Sequence, residues 1–161
     1  MKWAMRAQRV FDGAGNPVIR DAVVVVDDAR ITAVGPVAQV QLPHDMEVLD
    51  VRNRTLMPGL IDAHVHMLLT GSATSGQESR AMTDHQVLLV GARNAQLALK
   101  SGLTTVRDCG DRRYLSLVLR DFINDGGLAG PRLVCSGPVL TSTAGHLWWD
   151  GIECDTVDDL R

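Results

Sequence analysis

Two histidines separated by one residue, His64 and His66, are the side chains of this sequence best suited to hold a metal ion. They close an apolar run that begins with Pro58 and Gly59. Side chains two positions apart on a β-strand leave it on the same side, so both imidazoles would point the same way. Neutral imidazole is the commonest protein ligand for zinc. The pattern therefore predicts that His64 and His66 are metal ligands on one rigid strand.

The strand around the histidine pair is what favours this interpretation. A bare His-x-His is more often two ordinary surface or core histidines, whereas here the pair ends an apolar strand that follows a Pro-Gly turn. Asp62 would share the face of the histidines, where it could accept a hydrogen bond from an imidazole N–H and so orient the ring. His44 and His85 fall in a loop and in a first helical turn, and no chemistry is predicted for them.

Composition excludes several other classes of protein. The chain has 161 residues, 45% of them hydrophobic and 22% charged, which is typical of a globular fold. A net charge of -3 without a basic stripe argues against a nucleic-acid partner and against binding to an anionic membrane surface. The apolar run at 22–26 is far too short to span a bilayer. The three cysteines lack paired spacing, so we expect them to be reduced in a cytoplasmic protein.

The hydrophobic pattern changes near residue 56. Residues 1–56 contain short β-like runs separated by turn residues, which indicates a small β-domain. From there on, strand patterns alternate with helical patterns, which predicts parallel strands joined by crossover helices. We expect a helix from Thr83 to about residue 100, a strand at 103–108, a second helix that ends at 126–127 and a strand at 132–136. The helical faces predicted to pack inward carry Leu88, Ala92, Ala95 and Leu99 in the first helix, and Leu115, Val118, Leu119 and Phe122 in the second.

The run Pro-Gly-Leu-Ile-Asp-Ala-His-Val-His at 58–66 resembles the first-strand metal motif of the amidohydrolase superfamily. Further stretches are similar to its imidazolonepropionase-like branch, which includes Xaa-Pro dipeptidases (prolidases) and related metallo-carboxypeptidases. These stretches are 7–13, 31–36, 102–108 and 130–133. The likeness spans nearly the whole chain, and it supplies an expected fold and an expected chemistry.

The resemblance implies an α/β fold, the N-terminal part of a (β/α)8 TIM-type barrel preceded by strands of a small β-sandwich domain. Residues 1–56 would belong to the sandwich and residues 57–161 to the first three β/α units of the barrel. It also implies one or two divalent metal ions, zinc above all, that activate water for attack on an amide carbonyl. In the family the remaining ligands and the base come from later strands: a carboxylated lysine or an acid, two further histidines and an aspartate. No catalytic base is therefore expected within this segment.

The last residues, 155–161, have the pattern of a helix start, with Thr156 and Asp159 at capping spacing. A complete barrel needs roughly 250 residues. We therefore expect this chain to be the N-terminal part of a larger, homo-oligomeric enzyme, to need the C-terminal part of the barrel as its partner, and to be inactive alone.

Five residues that end or follow predicted strands are candidates for contact with a substrate or for support of the site. Branch members carry a glycine-flanked histidine after strand 3 that contacts substrate, and His146 lies at this position with Ala144 and Leu147 in place of glycines. It either contacts substrate or is a structural loop histidine. Arg107 and Asp108 end strand 2, where a salt bridge between them that supports the barrel is favoured over direct contact of Arg107 with substrate. Trp148 and Trp149 either line the substrate pocket or pack within the loop.

These observations favour a metal-dependent amidohydrolase that cleaves a small amide, either a dipeptide or an N-acyl amino acid. One alternative is a cyclic-amide hydrolase such as an imidazolonepropionase. A second is a non-catalytic module that keeps the histidines of an enzyme ancestor. The later part of the barrel separates the enzymes from the module, because only an enzyme needs the remaining metal ligands there.

Overall fold

The computed structural model describes residues 2–161, which form two compact units that divide between Pro58 and Gly59. No helix among these residues is long and apolar enough to cross a membrane.

The first unit is built on one four-stranded sheet. Its strands are β1 (Lys2–Val10), β2 (Ile19–Asp27), β3 (Arg30–Pro36) and β4 (Glu47–Leu56), in the order β3-β2-β1-β4. The strand β1 runs antiparallel to β2 and parallel to β4, while β3 pairs antiparallel with β2. The sandwich expected for this region needs a second sheet, so that part of the assignment stays a prediction.

The apolar run of β2 explains the core of this unit. Ala22 and Val24 pack with Ala7 and Val10 in one cluster, whereas Val23 contributes to another. Alternate residues of a strand point to opposite faces of the sheet, so β2 buries side chains on both faces. A strand covered on both faces carries a continuous apolar run instead of an alternating one.

The second unit is a mixed α/β structure. Its sheet contains β5 (Leu60–Val65), β6 (Leu103–Asp108) and β7 (Arg132–Cys135), in that order and all parallel. Three α-helices lie between or beside these strands: α1 (Ser75–Ala81), α2 (Asp84–Lys100) and α3 (Leu115–Asn124). The predicted alternation of helices with parallel strands is confirmed, and its closure into a barrel stays a prediction.

The start of α2 is confirmed at Thr83. The Thr83 side chain accepts a hydrogen bond from the backbone N–H of Gln86 at 3.4 Å, and the Gln86 side chain accepts one from the backbone N–H of Thr83 at 2.9 Å. This reciprocal capping box satisfies two N–H groups that have no partner within the helix.

The predicted buried face of α2 is confirmed in part. Ala95 is buried and Leu88 and Ala92 pack against the core, but Val87 and Gly91 are buried as well and Leu99 is 36% exposed. Gly91 explains the close approach of this face, because an added Cβ there would lie 2.6 Å from Cδ2 of Leu68. The helix therefore turns its smallest residues toward the core and approaches it closely.

The predicted buried face of α3 is also confirmed only in part. Leu115 and Leu119 are buried as predicted, but Val118 and Phe122 are each 54% exposed, and the inward position belongs to Ser116. A hydrogen bond of 2.5 Å from the backbone N–H of Ser116 to the buried Asp111 carboxylate fixes the first turn in this orientation.

Several short elements were not predicted from the sequence. They are α1, the parallel two-residue strands β8 (Leu140–Thr141) and β9 (Ile152–Glu153), and a 3-10 helix at Asp158–Leu160. The 3-10 turn lies where a helix start was expected, and Asp159 accepts the backbone N–H of Thr156 at 2.8 Å, as the capping spacing indicates.

Replacing Thr83 by Ala should lower the free energy of unfolding by about 1 kcal/mol, because the N-cap acceptor for α2 is lost. Thr83→Ser keeps the hydroxyl and should stay close to the wild type. Urea unfolding of the three proteins checks this, and equal midpoints for Ala and Ser would show that the capping box contributes nothing.

Candidate functional site

The two histidines come together at the carboxyl end of β5. His64 lies within the strand and His66 directly follows its last residue, Val65. Their ring centroids are 5.5 Å apart and the ring planes meet at 78°. His64 is exposed and His66 is half-buried. The pair therefore presents two imidazoles at one strand end, one of them accessible from solvent.

The protonation of His66 follows from its hydrogen bond. Nδ1 of His66 lies 3.2 Å from the backbone carbonyl oxygen of Gly110. A carbonyl oxygen only accepts, so Nδ1 must carry the proton and donate it. In the neutral ring this leaves the lone pair on Nε2, the arrangement found in histidines that bind metals.

Asp108, at the end of β6, fixes the backbone of both segments that form the hydrogen bond between His66 and Gly110. Its carboxylate is fully buried and accepts the N–H of Met67 at 2.7 Å and the N–H of Gly110 at 3.1 Å. Met67 follows His66, and Gly110 supplies the carbonyl that meets the His66 ring. Burial raises the pKa of Asp108 above its ordinary value, and the two N–H donors oppose that rise.

The prediction of a salt bridge at Arg107 and Asp108 is wrong. Arg107 is exposed and its guanidinium donates to the carbonyl of Ala63 at 3.5 Å. Throughout residues 2–161, neither Arg107 nor Asp108 takes part in an ion pair. Successive residues of a strand point to opposite faces, so Asp108 is buried with Val106 while Arg107 lies on the uncovered face.

Asp62 acts on the backbone of His64. Its carboxylate accepts the backbone N–H of His64 at 3.0 Å. The expected hydrogen bond from an imidazole to Asp62 is not formed in the described part of the chain. The Asp62 carboxylate instead fixes the backbone of the strand where the histidine pair begins.

The loop after β7 carries His146, which is exposed. Ala144 and Leu147 have left-handed φ angles of 55° and 59°. These are the two positions where the sequence replaces glycines of the family pattern, and glycine adopts this conformation without a steric cost. The loop keeps the same backbone form with larger residues, held by a hydrogen bond of 2.6 Å from the N–H of Ala144 to the Glu153 carboxylate.

Three loops and α1 meet beside His66. A small cleft next to this ring is lined by residues that include Leu68, Ser79, Gly110, Arg112, Leu147 and Asp150. Arg112 was not among the residues predicted from the sequence, and its guanidinium donates to the carbonyls of Ser79 at 3.0 Å and Met82 at 2.8 Å. It also pairs with Asp84 at 3.1 Å and Asp150 at 3.9 Å. The only available signal was its position shortly after a strand end.

The histidine pair does not complete a metal site by itself. Within residues 2–161, no group of three or more His, Cys, Asp or Glu side chains is placed to hold a metal ion. Cys109, Cys135 and Cys154 are all free thiols. A zinc ion needs at least three protein ligands for catalysis, so His64 and His66 could supply only part of the set.

Comparison with known proteins decides the family. Residues 55–160 match the model of the Amidohydrolase family. The chain belongs to the amidohydrolase family. This amidohydrolase chain is 32% identical to ochratoxinase from Aspergillus niger over 147 residues, which cover 85% of the chain and 28% of the relative. It is 28% identical to imidazolonepropionase from Streptomyces griseus subsp. griseus, over 89% of the chain and 47% of the relative.

Solved structures of related hydrolases have a similar fold. The chain superposes on a Xaa-Pro dipeptidase with bound methionine with a TM-score of 0.79 and 29% identity, over 99% of the chain and 38% of that structure. For the A. niger ochratoxinase structure the TM-score is 0.73 with 30% identity, over 90% of the chain and 33% of that structure. The chain thus spans less than half of the length of these relatives.

Replacing Asp108 by Ala should lower the free energy of unfolding by about 1–3 kcal/mol for each of the two backbone N–H groups left without an acceptor. The His66 ring should also lose its fixed tautomer, because the Gly110 carbonyl is no longer held in place. Ring 15N shifts report the tautomer and urea unfolding reports the stability. The exposed Asp125→Ala serves as the control. An unchanged His66 tautomer in Asp108→Ala would show that Asp108 does not orient the His66 ring.

Proposed function

We propose that this amidohydrolase chain is the N-terminal part of a metal-dependent (β/α)8 hydrolase that cleaves a linear amide bond. The observation that carries the proposal is the hydrogen bond between Nδ1 of His66 and the Gly110 carbonyl. It leaves Nε2 free as a ligand beside the exposed His64. Barrel enzymes place their chemistry at the carboxyl ends of their strands, which is where both rings lie.

The donor set fits zinc. Two neutral imidazoles on one strand end are typical of a zinc site, and the oriented ring of His66 meets the requirement for a fixed tautomer. When bound, the metal lowers the pKa of a water molecule and polarises the substrate carbonyl. The remaining ligands and the catalytic base would come from the later strands of the complete protein.

The residues of this chain have separate tasks in the proposal. His64 and His66 hold the metal, and Asp108 positions His66 through Gly110. Asp62 fixes the backbone of His64. None of these residues is assigned a proton-transfer step, since the proposed base comes from the later strands of the complete protein.

The proposed substrate is a linear amide with a free carboxylate, a dipeptide or an N-acyl amino acid. Among similar structures, one is a Xaa-Pro dipeptidase with bound methionine and one is a prolidase complexed with N-methylphosphonate-L-proline. The exposed His146 and Arg107 are the proposed contacts for such a substrate. A charged donor suits a carboxylate, because charge-assisted hydrogen bonds are the stronger ones.

A cyclic-amide hydrolase is the second candidate. The similarity to imidazolonepropionase of S. griseus extends over 89% of the chain, which supports this alternative. Both enzymes would use the same histidine pair, so the choice between them depends on the substrate alone.

Replacing His64 or His66 by Ala in the complete protein should remove most of the bound zinc, while the fold is retained. Neither ring belongs to the buried core, so stability should change little. Elemental analysis of the purified variants measures the metal, with His44→Ala as the control. Full zinc content in either variant would show that the replaced histidine is not a ligand.

Replacing His146 by Ala should raise KM for the best linear substrate roughly tenfold and leave kcat nearly unchanged, because a carboxylate contact binds ground and transition states alike. A panel of dipeptides, N-acyl amino acids and cyclic amides identifies the substrate class first. Turnover of cyclic amides alone would overturn the linear assignment, and a wild-type KM for His146→Ala would overturn the contact.

A further inference from the structure

Arg80, in the last turn of α1, is an exposed cation that lies against two neighbouring indole rings. Its guanidinium carbon lies 5.4 Å from the ring centroid of Trp148 and 5.4 Å from that of Trp149. The two indoles meet edge to face with centroids 6.2 Å apart. Contact with two aromatic rings restricts a side chain that would otherwise be flexible, so the guanidinium is oriented in advance.

The Arg80 guanidinium has no anionic partner among the described residues. Within residues 2–161, no carboxylate lies within ion-pair distance of Arg80. The acid nearest in sequence, Glu78, is bound instead by hydroxyls of Thr70 and Ser72 at 2.5 and 2.6 Å, which hold its pKa at about 2. Within residues 2–161 the Arg80 guanidinium makes no hydrogen bond, so its N–H donors are available to a ligand. Arg80 can therefore bind a planar anion through two parallel hydrogen bonds.

A recess lies beside this cation. It is lined by Ala73, Thr74, Gly76, Gln77, Arg80 and Trp149. Gly76 precedes Arg80 by one helical turn, and an added Cβ there would lie 3.2 Å from Cζ2 of Trp149. The absence of a side chain at this position keeps the recess open next to the indole. Trp148 is 42% exposed, so an apolar surface remains available beside the guanidinium.

The recess belongs to the same loops as the histidine site. Arg80 lies in the connection that follows β5, and the two tryptophans lie in the connection that follows β7. Ser79 and Leu147, which neighbour these residues in sequence, line the cleft beside His66. An extended small molecule could thus contact both loops.

We propose that Arg80, Trp148 and Trp149 form a subsite for the carboxylate of an amide substrate that carries an apolar or aromatic side chain beside it. The assignment of this ligand as a substrate rests on the proposed hydrolase function, whereas the anion subsite rests on the geometry of the three side chains. Arg80 shares the carboxylate with the proposed contact His146, which lies two residues before Trp148 in the same connection, and the exposed indole of Trp148 packs against the apolar group.

Binding is measured on the complete protein, freed of metal, by following the indole N–H signals of Trp148 and Trp149 in 15N-labelled protein. The probes are N-acetyl-L-phenylalanine, its uncharged carboxamide and inorganic phosphate. Saturable shifts with the carboxylate and none with the carboxamide are expected. Arg80→Gln should weaken carboxylate binding at least tenfold, and Arg80→Lys should retain part of it. The exposed Arg9→Gln in the first unit is the matched control.

Three results would overturn the subsite: equal shifts with the carboxamide, unchanged binding by Arg80→Gln, or tighter binding of phosphate than of the carboxylate. KM of the complete enzyme separates this proposal from the hydrolase function. If the protein binds the carboxylate but hydrolyses no amide, the subsite is supported and the hydrolase function is contradicted. If it hydrolyses the amide and Arg80→Gln has the wild-type KM, the hydrolase function is supported and the subsite is contradicted.

Discussion

The geometry of the histidine site depends on one buried carboxylate. Asp108 accepts the N–H groups of Met67 and Gly110, so it ties the ends of β5 and β6 together just where the chain leaves the sheet. Gly110 has a φ of 146°, and an added Cβ would overlap Val139, so only glycine fits there. The carbonyl of this glycine then meets the ring of His66. A buried side chain at the end of β6 thus holds in place the carbonyl that meets the ring of His66.

This arrangement has a cost that depends on pH. Burial raises the pKa of Asp108, so its charged form is less favourable in the folded chain than in the unfolded chain. Its contribution to stability is therefore greatest below its ordinary pKa and is lost as the pH rises through the raised value. The ionised form is nevertheless the one with two acceptor oxygens for two donors. The structure accepts lower stability near neutral pH in exchange for a fixed His66, as is common at functional sites.

The sequence predicted those features that depend on local chemistry. The capping pair Thr83 and Gln86 and the strand Leu103–Asp108 lie where the pattern placed them. The buried face of α2 was predicted only in part: Ala95 is buried as expected, but apolar periodicity did not indicate that close packing would also bury Gly91. The histidine pair was visible as a motif, but the Gly110 contact was not, since it joins residues 44 positions apart in the chain. Arg80 gave no signal either, because its partners are two rings of a distant loop.

The loop that carries His146 and the two tryptophans is held in shape by its contacts. Left-handed backbone costs a residue with a Cβ about 1–2 kcal/mol, and this loop has two such residues, Ala144 and Leu147. Hydrogen bonds to the Asp155 and Glu153 carboxylates oppose that strain from the far side of the loop. A strained conformation persists only where the surrounding structure determines it, and such places are often functional. These two hydrogen bonds thus define the backbone that carries the exposed His146 and Trp148, the side chains proposed to contact a substrate.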